Sequence, residues 1–231
     1  MAADESPAGR RPASVAGAIT RSLALSLEWA VPFVATNVAW GVVVGAYLLL
    51  LVGFPILALA APLLAIPTSA LMRLAVVAVR SGVPTLPTAW AEVRRLPQRK
   101  VGVAFVQLLL LGVAVANLDL SVRIGGALGL LSAGVALYAG VATAMLSIAV
   151  WPIVCDPAHE GSLREQLRLA LSVVVRRPLQ LLVLALLSTL AVYVSTQLLV
   201  PALVLPAVVM LAIAGYVVPA ADAIRPVAGP P

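Results

Sequence analysis

The sequence predicts an all-α fold: a polytopic membrane helix bundle with six transmembrane helices, arranged as three hairpins with short cytoplasmic amphipathic helices. Hydrophobic residues make up 62% of the chain and charged residues 10%, and the mean hydropathy is +1.10. These values lie well outside the range of soluble domains. The apolar residues also form long uncharged runs instead of alternating with polar ones. The composition therefore predicts one compact bundle in a membrane.

The basic residues set the orientation of this bundle. Residues 73–100 carry six of the 15 basic residues and lie between two long apolar runs. Lys and Arg concentrate in cytoplasmic loops, so we expect this segment in the cytoplasm. With six spans, both termini are cytoplasmic and Arg123 is the one basic residue outside. Topology and anionic lipid then explain the pI near 10.4, and no nucleic-acid partner is expected.

Residues 1–28 are interpreted as a cytoplasmic tail and an interfacial helix, without a cleavable signal because Arg21 and Glu28 interrupt the apolar stretch. Residues 1–12 have the composition of a disordered tail. After them, apolar residues recur every four positions: Val15, Ile19, Leu23 and Leu27. This pattern suits a short helix on the membrane face. A simple extension of the first span is the alternative.

The uncharged run of residues 29–72 is long enough for two crossings, since one needs about 20 residues. A break is expected near Pro55, because proline cannot continue a regular helix. The predicted spans are about 31–52 and 55–72. Gly41 and Gly45 form a G-x-x-x-G pattern, a weak indication of a homo-oligomer.

The next cytoplasmic segment contains Pro84, Pro87 and Pro97, which leave room for one or two helical turns with Trp90 as an interfacial anchor. Spans are predicted at about 101–118 and 126–151. Between them, Asp119 and Arg123 occupy the external loop, where an i, i+4 surface ion pair is expected.

The second cytoplasmic loop contains a capping box of Ser162 and Glu165, which predicts the start of a helix. One side of this helix is expected to be apolar, with Arg164 and Arg168 away from it: Leu163, Leu167, Leu171 and Val174. Such a helix could dock on the bundle, lie on lipid or contact a partner. The candidate partner or lipid contacts of the whole chain are Trp90, Arg94, Arg95, Arg164, Arg168, Arg176 and Arg177.

The last uncharged run predicts spans at about 179–200 and 203–221, with Pro201 in the external turn and Pro206 near the start of the final span. The membrane domain thus covers residues 29–225, and residues 226–231 form a cytoplasmic tail. The order of short helix, outward span and inward span occurs three times, as in a parallel repeat.

The predicted spans contain no Asp, Glu, His, Lys or Arg, so they lack the residues that an intramembrane enzyme or a proton-coupled transporter needs. We expect no enzyme activity and no cofactor. Cys155, Asp156, His159 and Glu160 share one loop without zinc spacing, and we interpret them as solvated. The candidate polar residues of the bundle interior are Asn37, Gln107, Asn117 and Gln197. Their expected role is interhelical hydrogen bonding.

Several short segments, in order, resemble the YesL-like family of bacterial integral membrane proteins: Asn37-Val38-Ala39-Trp40, Ile66-Pro67-Thr68-Ser69-Ala70-Leu71, Trp90 with Arg94-Arg95, Trp151-Pro152, and the helix before Arg177-Pro178. Members are typically uncharacterised, and many are encoded beside binding-protein-dependent sugar importers. The resemblance implies an accessory role in carbohydrate uptake and supplies no site residues to carry over.

The chain is therefore expected to be a non-enzymatic protein of the bacterial inner membrane, associated with an ABC-type carbohydrate importer. Fourteen Arg against one Lys is typical of a GC-rich bacterial genome. The Glu-Ala-Ala segment with which importer permeases dock on their ATPase is not found in either cytoplasmic loop, which argues against the permease itself. The alternative is an autonomous small transporter or channel for a neutral polar solute.

Overall fold

The computed structural model describes residues 14–80, 83–197 and 199–225, and these residues form helices without any strand. The α-helices are α1 (Val15–Glu28), α2 (Ala30–Gly53), α3 (Ala65–Arg80), α4 (Leu86–Arg94), α5 (Pro97–Ile124), α6 (Gly126–Val154), α7 (Leu163–Arg176), α8 (Pro178–Gln197) and α9 (Leu199–Ile224). Two 3-10 segments, Pro55–Leu64 and Pro157–His159, lead into α3 and follow α6. The predicted tails at residues 1–12 and 226–231 lie outside the described residues.

Six helical segments of the described chain are long and apolar enough to cross a membrane, as predicted. They are α2, the 3-10 segment with α3, α5, α6, α8 and α9. The short helices α1, α4 and α7 each precede one pair of spans. The protein is therefore a multi-pass, all-α membrane protein built from three hairpins.

Two interruptions of the helical backbone define the first hairpin. Phe54 leaves helical geometry with φ −135° and ψ 80°, and Pro55 begins the return segment, as the proline predicts. At the other end of α2, the backbone of Trp29 departs from helical geometry with φ −110° and ψ 33°, which separates α2 from α1. The N-terminal segment is thus a distinct helix instead of a continuation of the first span. It packs on α9, with Ala18 and Ser22 buried.

The turn between α5 and α6 is shorter than predicted. Asp119 and Arg123 belong to the last turns of α5 instead of a loop, although their exposed ion pair is present at 2.7 Å. Gly125 and Gly126 make the turn with φ of 64° and 62°, which glycine adopts without strain. Gly129 on α6 lies so close to the backbone of α5 that a Cβ atom at Gly129 would be 2.5 Å from the carbonyl oxygen of Ser121. The hairpin therefore depends on these three glycines.

The final hairpin differs from the prediction at its prolines. Pro201 was expected in the external turn, but it lies in the first turn of α9, and Pro206 lies further inside the same helix. A proline in the first turn interrupts no helical hydrogen bond, since that N–H has no intrahelical acceptor. Pro201 therefore marks a helix start, and the prediction of a turn there is wrong.

The last span lies at the centre of the bundle. In its apolar stretch 56% of residues are buried, against 11% to 33% in the other candidate spans. It contacts α1, α2, α3, α6, α7 and α8. Leu211, Ala214, Val217 and Ala221 are fully buried, and the small residues among them let neighbouring helices approach. The core is therefore organised around α9.

Candidate functional site

Charged side chains meet at the end of the bundle where α3, α6 and α9 finish. One group, the Asp156 cluster, consists of Arg80, Asp156, His159 and Asp222. A neighbouring group, the Glu92 cluster, consists of Arg73, Glu92, Arg95 and Lys100. Both combine residues from several helices, so they depend on the folded bundle.

Arg80 joins three parts of the chain in the Asp156 cluster. Its Nε lies 2.9 and 2.8 Å from the two carboxylate oxygens of Asp156, and its Nη2 donates to Oδ2 at 2.5 Å. Its Nη2 and Nη1 also donate to Asp222, at 2.9 and 3.3 Å. The Asp156 side chain is fully buried, whereas that of Arg80 is 26% exposed. The guanidinium therefore neutralises a buried carboxylate and connects the ends of α3, α6 and α9.

His159 lies between the two carboxylates of this cluster. Its Nδ1 lies 3.0 Å from Oδ2 of Asp156 and 3.3 Å from Nη2 of Arg80. The shorter contact, to a carboxylate that only accepts, is a hydrogen bond when Nδ1 carries the proton. Its Nε2 is 3.3 Å from Oδ1 of Asp222, but in a direction that makes no hydrogen bond. The His159 carbonyl oxygen accepts a hydrogen bond from Gln166 at 3.2 Å. His159 therefore attaches α7 to the cluster through the 3-10 turn after α6.

The environment keeps the Asp156 carboxyl ionised. Burial raises its pKa, but the hydrogen bonds from His159 and Arg80 and the charge of Arg80 outweigh burial, so the pKa lies below its ordinary value of 3.8. The neighbouring Cys155 is also fully buried, and burial raises the pKa of its thiol. This thiol therefore stays in its neutral, unreactive form.

Glu92 is the acidic centre of the second cluster. Its Oε1 lies 2.8 Å from Nζ of Lys100, and both side chains are only 2% exposed. The Lys100 ammonium also donates to the Glu92 carbonyl oxygen. Arg95 and Arg73 lie 3.6 and 4.0 Å from Oε2. Three cations thus surround one buried carboxylate, which makes this cluster positive overall.

The corner between α4 and α5 makes this arrangement possible. Leu96 adopts a left-handed backbone with φ 42°, which is uncommon and strained for a residue with a side chain. Pro97 then begins α5, where its fixed φ suits the first helical position. The chain turns back sharply here, so that Lys100 in the first turn of α5 reaches Glu92 on α4.

Three contacts attach the segment between α6 and α7, which carries Asp156 and His159, to the helices that form the Glu92 cluster. Arg95 pairs with Glu160 at 2.8 Å, Arg99 donates to the Gly161 carbonyl oxygen at 3.0 Å, and Arg73 donates to the Cys155 carbonyl oxygen at 3.2 Å. All three acceptors belong to the segment between α6 and α7. The clusters therefore fix this segment against α3 and α5.

The chemistry of the clusters is charge neutralisation. Their charged groups point mainly at each other, and the thiol beside them is buried and neutral. Across residues 14–80, 83–197 and 199–225, no group of three His, Cys, Asp or Glu side chains is placed to hold a metal ion. The arrangement can stabilise the end of the bundle and position the segment between α6 and α7.

Sequence reasoning missed the Asp156 cluster. The loop of Cys155, Asp156, His159 and Glu160 was expected to be solvated. Glu160 is exposed as expected, but the other three residues are 0% to 3% exposed, so the prediction is wrong for them. Arg80 and Asp156 are 76 positions apart, and Arg80 and Asp222 are 142 apart, so local spacing does not reveal their contact. A weak signal exists, because a proline near the end of an inward span precedes each aspartate by three or four positions: Pro152 precedes Asp156, and Pro219 precedes Asp222.

The predicted polar residues of the bundle interior have different positions. Asn37 is buried on α2, and Gln107 accepts a hydrogen bond from the Trp151 indole at 3.1 Å, which joins α5 to α6. Asn117 and Gln197 are exposed on the outside of the bundle, contrary to the prediction. The four side chains therefore do not line one common cavity.

The predicted partner or lipid contacts also separate into two kinds. Arg95 is part of the Glu92 cluster, and Arg177 donates to the Tyr216 hydroxyl at 3.5 Å. The others lie at the surface: Trp90, Arg94, Arg164, Arg168 and Arg176. These five remain available for a molecule outside the chain.

Helix α7 carries the predicted capping box but buries a different face from the one predicted. Its buried residues are Gln166, Leu169, Ala170 and Val173. Leu163 and Val174 are only partly buried, while Leu167 and Leu171 are 38% and 54% exposed. The small Ala170 allows the helix to approach the bundle closely. An apolar stripe of Leu167, Leu171 and Val175 is left outward, beside Arg164 and Arg168.

No protein-family model, curated protein or solved structure matches the chain. The resemblance to the YesL-like family therefore stays a prediction, and the argument for function depends on the surfaces of the molecule itself.

Proposed function

We propose that the protein is a non-enzymatic accessory or regulatory component of an ABC-type carbohydrate uptake system in the bacterial inner membrane, with both termini in the cytoplasm. The observation that carries the proposal is the outward face of α7. Leu167, Leu171 and Val175 form an apolar stripe there, bordered by Arg164 and Arg168. A mixed apolar and arginine surface is typical of protein contacts.

The charge clusters support a binding role over a catalytic one. Arg80 and Asp156, and likewise Lys100 and Glu92, neutralise each other within the chain. The segment before α7 is fixed by these contacts, so α7 is held at a defined position on the bundle. A helix that is already held in position loses little conformational entropy when a partner binds its exposed face. The choice of a sugar importer as the partner rests on the resemblance to the YesL-like family.

The experiment that tests this function is co-purification from the native host in mild detergent, with mass spectrometry of the retained proteins. Importer permease or ATPase subunits should be retained by the wild type and lost with Leu171→Gln. Leu27→Gln is the matched control, since Leu27 is 80% exposed on the short helix α1. The control should retain the subunits.

Purification of the protein without importer subunits would contradict the accessory role. The alternative is then an autonomous transporter for a neutral polar solute. Solute uptake by liposomes that contain only this chain would establish that alternative. Asn37 and Gln107 would be the first residues to substitute, since both are neutral polar side chains that face inward from predicted spans.

A further inference from the structure

An apolar groove of about 470 Å³ lies between α2, α3 and α4. Its walls include Thr36, Ala39, Trp40, Pro67, Leu86 and Trp90. Leu86 and Trp90 are 48% and 59% exposed, so the groove is open to the outside of the bundle. Because α2 and α3 are membrane-spanning helices, the opening faces hydrocarbon at the end of the bundle that carries α4.

The groove wall offers few hydrogen-bonding groups. The indole N–H of Trp40 is already bonded to the Thr68 hydroxyl at 3.0 Å. Two groups remain, the indole N–H of Trp90 and the buried Thr36 hydroxyl, which has no partner among the described residues. A sugar or other polar solute would therefore lose most of its hydrogen bonds to water without replacement, which costs free energy. The groove suits an apolar occupant.

The Arg94 side chain lies beside this groove. The Arg94 guanidinium carbon is 5.1 Å from the centre of the Trp90 ring, a cation–π geometry. Among the described residues Arg94 forms no ion pair, whereas its neighbour Arg95 pairs with Glu92 and Glu160. Trp and Arg side chains are typical of the membrane interface, where lipid headgroups lie. The groove thus combines an apolar cavity with a positive charge that no acidic side chain of the described residues neutralises.

We propose that this groove binds one acyl chain of an anionic membrane phospholipid, whose phosphate is held by Arg94. The volume lies within the roughly 300–1,000 Å³ of small-ligand sites. The guanidinium of arginine matches the geometry of a phosphate group. The formal net charge of +6 also favours anionic over zwitterionic lipids at this surface.

Native mass spectrometry of the purified full chain tests the headgroup contact, with phosphatidylglycerol as the anionic lipid and phosphatidylcholine as the zwitterionic one. The wild type should prefer phosphatidylglycerol. Arg94→Gln should weaken its binding about fivefold, the effect of one basic residue near an anionic lipid. Arg123→Gln is the control, because the Arg123 side chain is 73% exposed at the far end of α5 from α4, and it should leave binding unchanged.

A second variant tests the apolar cavity. Ala39 is exposed on the groove wall, so Ala39→Phe places a ring in the cavity without removing an existing contact. Binding of both lipids at this site should fall. Val42→Phe is the control, because Val42 is 66% exposed on α2 and is not part of the groove wall.

Equal retention of the two lipids by the wild type would overturn the proposal, as would unchanged binding in Arg94→Gln or in Ala39→Phe. A further outcome assigns the groove to a protein. If Ala39→Phe leaves lipid binding intact but abolishes co-purification of importer subunits, the occupant is a partner helix. The lipid proposal then fails while the accessory role stands.

Discussion

Arg80 is the residue whose removal should affect the bundle most. Arg80→Gln takes away the cation that faces the buried carboxylate of Asp156. Loss of one partner of a buried ion pair costs about 3–5 kcal/mol. Arg80 is itself 26% exposed, so we expect the lower end, about 3 kcal/mol. Thermal unfolding of the purified protein in detergent measures the loss.

The control for Arg80→Gln is Arg123→Gln, at the exposed pair with Asp119. These side chains are 73% and 63% exposed, and such surface pairs contribute under about 1 kcal/mol. A loss of stability in Arg123→Gln as large as in Arg80→Gln would contradict the role given to the Asp156 cluster.

Asp156 should also make stability depend on pH. Its pKa in the folded protein lies below the ordinary value of 3.8, so the unfolded chain takes up the proton first as the pH falls. The stabilisation is fully present above pH 3.8 and is lost as the pH falls below that value. The Tm of the wild type, measured from pH 7 to pH 3, should therefore fall more steeply at the acidic end than the Tm of Asp156→Asn. Equal slopes would disprove this contribution.

At the residue scale, sequence reasoning recognised local interactions but not the distant ones. The pair of Asp119 and Arg123 is one helical turn apart, and the sequence spacing predicted it correctly. The contacts of Arg80 join residues 76 and 142 positions away, and only the packing of α3, α6 and α9 brings them together. A short charged loop is usually solvated, so the burial of Asp156 and His159 has only a weak local signal, the proline that precedes Asp156 near the end of its span.

Among the elements, the hairpin of α5 and α6 gives the sharpest prediction. In Gly129→Ala the added Cβ atom would lie 2.5 Å from a backbone oxygen of Ser121, so the two helices must separate. Gly134→Ala is the control on the same helix, since a Cβ atom there contacts nothing within 4 Å. Thermal unfolding in detergent should show a lower Tm for Gly129→Ala and an unchanged or slightly higher Tm for Gly134→Ala. The reverse order would contradict the described hairpin.

Helix α7 illustrates how far sequence pattern predicts an element. Its start was predicted correctly, because the capping box of Ser162 and Glu165 is a local interaction. Its buried face was not, because leucines occur around most of the helix and the four-residue period fits more than one face. Two buried residues set the orientation of α7. The small side chain of Ala170 lets the helix approach the bundle, and Gln166 donates a hydrogen bond to the His159 carbonyl oxygen. The sequence of α7 alone does not show what these two residues contact.

The topology of the whole molecule can be tested with single cysteines. Val122 and Arg164 are exposed at opposite ends of the bundle. Val122→Cys should react with a membrane-impermeant maleimide in intact cells, and Arg164→Cys only after the membrane is opened. The buried, neutral Cys155 should give no background. The opposite labelling pattern would contradict cytoplasmic termini.

For the molecule as a whole, composition and uncharged run length were sufficient to predict six membrane-spanning helices, because hydrocarbon thickness fixes how many residues a crossing needs. The same information did not reveal which span is central. All six are apolar on most sides, so hydropathy does not distinguish a lipid-facing helix from a buried one. The small residues of α9, such as Ala214 and Ala221, indicate its position only once its neighbours are known.

The central position of α9 has a consequence for biosynthesis. The ribosome makes α9 after the other five spans, yet α1, α2, α3, α6, α7 and α8 all pack against it. The earlier helices therefore enter the membrane before their common neighbour exists, and Arg80 emerges before either of its two carboxylate partners. Assembly of this bundle is completed late, and until then the nascent chain depends on lipid or on insertion factors to cover surfaces that α9 later fills.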